Sequence, residues 1–420
     1  MEYGLIGKKL IHSYSKEIHE QLFNCTYVLK ELTDDEQLSN FMKVADFRAV
    51  NVTIPYKEKV IPYLDYISDE AKEIMAVDTI INKNGKLYGY NTDYFGLKDM
   101  ILEFKIPVKN KKIFILGTGG TAKTAYKVVK DLGALEIHFV SRNKKDNAIT
   151  YEELISNYAH EVEVIVSTTP YGMYPNISDK SIVDLESFKN LVGVVDVIYN
   201  PLHTELIVEA KKKNIPCCGG LYMLVAQAFY ACELFHECKL NKSSILDIYK
   251  AINKRRENIV LIGMPSCGKS ALGCLVAQKL NRKFVDIDTL IEQKIDMKIS
   301  TFFDKYGEDA FRNIESEMIK DVSKETSLVI STGGGAILRK ENVSLLKQNG
   351  KIFYIERPLS FLKSTPSRPL TSDYEALKKK YEERTPIYND VCDIKIEALE
   401  TKSENVNLII KKWEDNYLWK

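Results

Sequence analysis

Two glycine-rich loops of different design constrain this chain more than any other feature: FILGTGGTAKTA at 114–125 and LIGMPSCGKSALG at 261–273. Each joins an apolar, strand-like run to a helix-like run. Gly117, Gly119, Gly120 and Ala122 belong to a G-x-G-x-x-A pattern, whose spacing suits close approach of the backbone to a dinucleotide pyrophosphate. Gly263, Gly268, Lys269 and Ser270 satisfy G-x-x-x-x-G-K-S, in which backbone N–H groups surround nucleotide phosphates, the lysine adds a point charge and the serine hydroxyl ligates magnesium. The two loops belong to two different folds, and no solenoid-length repeat relates them.

A length of 420 residues is too great for one compact core and suits two or three domains. The apolar runs alternate with helical stretches throughout. YGLIG precedes EIHEQLF and DYFGLKDMILEF; from 111 onward KKIFILG, LEIHFVS, VEVIVST and VGVVDVIY form repeated βα units, the signature of a parallel sheet. MLVAQAFYACELFHECK and SSILDIYKAINK read as helices, and the charged junction NKRREN then leads into the strand NIVLIG, which places a domain boundary near Lys254. FVDIDTLIEQ, SLVIST and KIFYIE continue the βα pattern. The expected class is α/β.

The formal charge of +1 argues against nucleic acid or a membrane surface as the main partner, and small molecules are expected instead. LYMLVAQAFYAC is too short to span a bilayer, and the start MEYGLIGKKLIHS has no apolar run of signal-peptide length. Eight cysteines at irregular positions are neither a zinc frame nor a disulfide framework, so a cytoplasmic location is expected. Nothing in the sequence fixes the oligomeric state, and a homodimer stays open.

Beyond the second loop, Asp286 and Asp288 stand two apart at the end of a strand, hence on one face. One carboxylate there can reach a magnesium shell while the other meets a substrate hydroxyl, as in-line phosphoryl transfer requires. Arg312 in GEDAFRNIESE, the triple glycine of STGGGAI, Arg368 in SRPL and Arg384 in EERTPIYND follow in order. With these landmarks residues 255–420 resemble shikimate kinase, a P-loop fold of nucleoside-monophosphate-kinase type with a parallel sheet. The resemblance implies that Asp288 orients the attacking hydroxyl, Ser270 and Asp286 hold Mg2+, Lys269 and Arg368 serve the transferring phosphoryl group of ATP, and Arg312 and Arg384 grip a carboxylate. Gly334 and Gly335 would admit the substrate ring. Lys363 and Cys267 depart from the family's pattern without removing a group that the chemistry needs.

After the first loop, the next strand ends at EIHFVSRNKK, where Ser141 and Arg142, with Lys144 and Lys145 beyond, replace the acid that an NAD-dependent site would carry. That cluster favours the 2′-phosphate of NADP. HSYSKEIH, VNVTIPYKEKV, VDTIINKNGKLYGYNTDYFGL, STTPYGM, DVIYNPLHTEL and GGLYMLVAQAF then resemble shikimate dehydrogenase over nearly all of residues 1–253. The resemblance implies a substrate domain from 1–100 with 221–253, a Rossmann NADP-binding domain at 101–220, and a kinase domain at 255–420. It implies NADPH as cofactor, 3-dehydroshikimate and shikimate as substrates, a carboxylate held by Ser13, Ser15 and Tyr199, ring oxygens held by Asn51, Thr53, Asp78 and Gln227, and a catalytic pair of Lys57 and Asp93. The pair makes chemical sense, since reducing a ketone needs a proton for the developing alkoxide.

Bland readings stand beside these. Ser13 and Ser15 could cap the helix SKEIHEQ, and Asn91-Thr92-Asp93 could cap the helix that follows. Asp78 occupies a place where the family's pattern has an asparagine, Met75 and Ala49 replace small or glycine positions, and Lys16 replaces a proline. Two alternatives therefore stay open beside a bifunctional enzyme: a dehydrogenase-like half that only binds, or one that acts on quinate.

Overall fold

The computed structural model describes residues 1–10, 14–144, 147–179, 181–364 and 373–415. Its contacts divide the chain into two units, Met1–Tyr171 with Ser181–Asn200 and Glu209–Ala251, and Gly172–Lys180 with Pro201–Val208 and Ile252–Lys420.

The first unit holds two six-stranded sheets. One is built from β1 (Tyr3–Gly7), β2 (Tyr27–Glu31), β3 (Ala49–Val52), β4 (Tyr66–Ile67), β5 (Thr79–Lys83) and β6 (Lys86–Tyr90), in the order β2-β1-β3-β5-β6-β4. It is mixed: β1 runs parallel to β2 and β3, whereas β5 is antiparallel to both β3 and β6. The antiparallel hairpin turns at Asn84 and Gly85, both left-handed, which short polar or glycine residues tolerate. The register places Asn51 of β3 opposite Thr79 of β5. The helix Leu221–His236 belongs to this half, because Ala231 and Phe235 share a core with Tyr3, Leu5 and Ile81.

The other sheet comprises β7 (Lys112–Leu116), β8 (Glu136–Ser141), β9 (Ala148–Thr150), β10 (Val164–Ser167), β11 (Gly193–Asp196) and β12 (Cys217–Cys218). All its pairings are parallel and its order is β12-β11-β10-β7-β8-β9, the doubly wound dinucleotide-binding arrangement. Helices on both faces demand strands buried on both sides, and VIVS and GVVD are buried at every position. The glycine loop leaves the C-terminal end of β7 beside β10, the point where strand order reverses and where ligands bind in such sheets.

In the second unit five parallel strands, β13 (Asn258–Ile262), β14 (Lys283–Asp286), β15 (Leu328–Ser331), β16 (Gly350–Glu356) and β17 (Ile394–Glu397), run in the order β14-β15-β13-β16-β17. The lysine-serine loop leaves β13 at the centre. Two short earlier segments join this unit through Gln348 and Asn349, both buried. Gln348 Nε2 donates to the Ile177 carbonyl at 2.9 Å, His203 N to the Gln348 carbonyl at 2.9 Å, and Leu202 N to Asn349 Oδ1 at 2.9 Å.

The charged junction is not a solvated linker. The helix Ser243–Arg256 runs through Lys254, leaving Glu257 alone before β13. Arg256 and Glu257 are buried; Trp413 Nε1 donates to Glu257 Oε2 at 3.2 Å, and Arg282 donates to the Lys254 carbonyl at 2.7 Å. The helix-end carbonyls take the Arg282 guanidinium as their cap.

Candidate active sites

In the first unit the loop after β3 carries Lys57, and its Nζ donates to Asp93 Oδ2 at 2.5 Å with both side chains less than a quarter exposed. Burial works to lower the lysine's pKa, but the charges of Asp93 and Asp78 outweigh it and hold the ammonium above its ordinary range. Asp93 sits in the first turn of the helix Thr92–Glu103, where Asn91 is the N-cap and accepts from Tyr94 N at 3.0 Å. The capping alternative thus holds for Asn91, while Asp93 turns to Lys57.

Asn51, 4% exposed, accepts from Tyr27 Oη at 2.7 Å and donates to Thr79 Oγ1 at 3.0 Å, so its amide is oriented by a tyrosine and a threonine that the sequence reading overlooked. Thr53 lies two residues on, against Gly7, whose own added Cβ would come within 2.5 Å of Thr53 Cγ2. Ser15 is buried inside the helix Ser15–Leu22 and is not its cap, since the N-cap position falls to Tyr14. Tyr14 meets Tyr199 edge-on at 6.0 Å between ring centres, so the start of this helix and Tyr199 are neighbours. Gln227 packs under the helix Thr92–Glu103: a Cβ at Gly96 would come within 3.0 Å of it. Ser13 lies outside the described residues.

Around the first loop, Gly117 adopts φ 115°, and a Cβ there would stand 2.6 Å from Thr168 Oγ1, so only glycine lets the end of β10 come so close. Gly119 and Gly120 face open space within 4 Å, and the helix Gly120–Asp131 opens with no side-chain cap. A helix start of this kind suits a ligand's phosphates. Ala122 is fully buried. The Ser141 hydroxyl donates to the Asn143 carbonyl, and Arg142 is exposed. Lys144 pairs with Glu153 at 2.5 Å, which takes one charge from the expected basic cluster; Lys145 lies outside the described residues.

In the second unit Gly263 and Gly268 bracket the phosphate loop at positive φ. Lys269 is buried and folds back, donating to the carbonyls of Gly263 at 2.9 Å and Met264 at 3.0 Å. Ser270 Oγ lies 3.3 Å from Ser331 Oγ, and Ser331 is the register partner of Asp286. Ser270 and Asp286 thus both neighbour Ser331. Magnesium keeps waters and binds through one or two carboxylates plus phosphates, so a hydroxyl and a carboxylate could hold it here with the nucleotide.

Asp286 and Asp288 do not share a strand face. β14 ends at Asp286, which caps the helix Ile287–Ile295 through Thr289 N at 3.3 Å, so Asp288 stands in that helix's first turn. The helical turn, not strand alternation, directs Asp288 toward the triple glycine. A Cβ at Gly333 would be 2.8 Å from Asp288 Oδ1 and 2.7 Å from Glu315 Oε1, one at Gly334 would be 3.4 Å from Arg384 Nη1, and one at Gly335 would be 2.2 Å from Arg312 Nη2. Two guanidinium groups and two carboxylates therefore converge on a strip of bare backbone.

Arg312 donates to Glu315 Oε2 at 2.6 Å and to Glu308 Oε1 at 2.9 Å. Arg384, 3% exposed, has Nε and Nη2 buried without a hydrogen-bond partner among the described residues. A buried guanidinium left so calls for an anion. Tyr388, one turn beyond Arg384, donates to the Gly263 carbonyl at 2.9 Å and also to that of Gly334, tying the phosphate loop to the glycine strip. Glu315 and Tyr388 escaped the sequence reading, although spacings of three and four residues from the two arginines would have found them. Arg368 lies outside the described residues.

Residues 5–80 match the shikimate dehydrogenase substrate binding domain and residues 265–414 match shikimate kinase. The shikimate dehydrogenase (NADP(+)) of Clostridium beijerinckii is 39% identical over 260 residues, 59% of this chain and 96% of that protein. Among solved structures, shikimate dehydrogenase 1 from Peptoclostridium difficile is 38% identical with a TM-score of 0.55, covering 60% of this chain and 98% of that one. A chorismate mutase/shikimate 5-dehydrogenase fusion protein from Clostridium acetobutylicum is 34% identical with a TM-score of 0.56, covering 60% of this chain and 97% of that one. The chain belongs to the shikimate dehydrogenase family and carries a shikimate kinase domain after it in the same polypeptide.

Proposed function

We propose that the chain catalyses two consecutive steps, NADPH-dependent reduction of 3-dehydroshikimate to shikimate and ATP-dependent phosphorylation of shikimate to shikimate 3-phosphate. The substrate domain is assigned to 1–100 with 221–253, the NADP-binding domain to 101–220 and the kinase to 255–420. NADPH supplies the hydride when bound, and ATP with Mg2+ the phosphoryl group.

In the first step Lys57 Nζ gives a proton to the ketone oxygen as the carbon receives hydride, and Asp93 holds the ammonium in place. Asn51, Thr53 and Gln227 position the ring, while Ser13, Ser15 and Tyr199 take the carboxylate. In the second, Asp288 accepts the proton of the attacking hydroxyl, and Arg312 and Arg384 hold the same carboxylate. Lys269 releases its two carbonyl partners for phosphate oxygens, with Ser270 and Asp286 at the magnesium and Arg368 at the transferring group. A cytoplasmic location accords with eight free cysteines.

The observation that carries this reading is the Arg384 guanidinium, whose Nε and Nη2 are buried without a hydrogen-bond partner among the described residues, at the same glycine strip that Asp288 faces and on the same chain as a partly buried Lys57–Asp93 pair. NADP+-dependent oxidation of shikimate and of quinate, assayed beside ATP-dependent phosphorylation of shikimate, tests it. Turnover of shikimate in both assays is expected. Preference for quinate in the first would replace the dehydrogenase half of the proposal.

A further inference from the structure

Asp78 is 3% exposed and spends both carboxylate oxygens on one helix end. Its Oδ1 accepts from Thr92 N at 2.7 Å, with Thr92 Oγ1 at 3.0 Å and Thr79 Oγ1 at 2.8 Å, and its Oδ2 accepts from Asp93 N at 2.9 Å. Together with Asn91, which takes Tyr94 N, it satisfies three successive backbone donors that open the helix Thr92–Glu103. A carboxylate suits this better than a side-chain amide, because it offers one acceptor oxygen to each of two adjacent N–H groups, whereas an amide has a single oxygen to share and a donor NH2 in place of the other.

We propose that Asp78 is a positioning residue, which fixes the first turn of this helix so that Asp93 meets Lys57, and not a ligand of the substrate's ring oxygens. The inference rests on the dehydrogenase reading of Lys57 and Asp93. An anion at a helix N-terminus is stabilised by the unpaired N–H groups, which offsets the cost of a second carboxylate near Asp93. Burial and Asp93 push the Asp78 carboxyl above its usual range, while Lys57 and the two backbone donors pull it back. Asp93 and Asp78 are the charged groups that act on the Lys57 ammonium; Glu58, next in the chain, is exposed and paired with Lys123 at 2.8 Å.

The test is Asp78→Asn in the full chain, with NADP+ binding and far-UV circular dichroism as checks that the dehydrogenase half is folded. The expected result is a kcat for shikimate oxidation lower by roughly tenfold, the scale of a small misplacement of a catalytic pair, with KM changed by less than about twofold. The pH at which 3-dehydroshikimate reduction falls off on the alkaline side should move down, because one of two carboxylates that favour the protonated lysine is gone. Backbone amide exchange in the segment 91–95 should quicken in the variant, a readout that needs no turnover. A KM raised tenfold with kcat retained would make Asp78 a direct ligand and overturn the proposal, as would unchanged exchange at Thr92 and Asp93. An unaltered wild-type chain that never turned shikimate over would refute the dehydrogenase reading, while the exchange result would still decide what Asp78 does.

Discussion

The two catalytic centres keep their charges in opposite ways. Around Lys57 every principal charge is already matched: the ammonium has Asp93, and Asp78 has the helix end. Around Arg384 the matching is incomplete, and Lys269 makes do with carbonyl oxygens. The difference follows the chemistry. On the proposed reading, reduction needs one proton delivered to a ketone oxygen, so the donor is preorganised; phosphoryl transfer must stabilise charge that moves between ATP and the attacking hydroxyl, so cationic groups are left for it.

The sharpest way to break this comparison is a crossed pair of substitutions. Lys57→Ala removes the proton donor and should reduce 3-dehydroshikimate turnover by about 10²–10⁴-fold while leaving phosphorylation intact. Lys269→Ala should lower the kinase kcat by about 10²–10³-fold and spare the hydride reaction. Steady-state assays of both activities on both variants check it, and loss of both activities from either single change in a folded chain would show that the centres are not separate.

A smaller effect is expected at the unmatched guanidinium. Arg384→Ala should raise the shikimate KM of the kinase by roughly 10–100-fold, the worth of a charge-assisted hydrogen bond. Arg384→Lys should recover only part, since an ammonium lacks the fork that a carboxylate fits. An unchanged KM would mean that the buried nitrogens of Arg384 await something other than the substrate.

The least dramatic contrast is in acid. His19 is fully buried, and burial lowers its pKa from 6.5 to about 3. The unfolded chain binds the proton first, so its stabilising contribution is complete above pH 6.5 and is lost as pH falls from there through about 3, at up to ~1.4 kcal/mol per pH unit. Residues 255–420 contain no histidine. Thermal inactivation followed by both activities should therefore show the dehydrogenase losing more between pH 7 and pH 5 than the kinase. Equal losses would remove His19 from the explanation.

Both phosphate loops were legible because glycine spacing and strand-helix context are local, and their surroundings follow from chain geometry. Strand order was not, since the pairing of none of the three sheets is written in any short window. The reading put Asp286 and Asp288 on one strand face because period-two alternation was assumed to continue, whereas the strand stops at Asp286 and a helix begins. The letters of the junction near Lys254 do not show that Arg256 and Glu257 are buried, because a partner such as Trp413, which donates to Glu257, lies far along the chain. Asp78 was legible as a departure from a pattern but not as a cap, because its donors Thr92 and Asp93 lie 14 and 15 residues away across a hairpin. Residues proposed to touch ligands stand out by type, while those that hold them, such as Tyr27, Glu315 and Tyr388, are ordinary letters until the fold brings them in.

The most direct measurement supplies the purified chain with 3-dehydroshikimate, NADPH, ATP and magnesium together and identifies the product by mass. The account predicts shikimate 3-phosphate, with one NADPH and one ATP consumed for each molecule formed. Unreacted 3-dehydroshikimate, in a sample that still phosphorylates added shikimate, would contradict it and leave the Lys57–Asp93 centre without the role assigned to it.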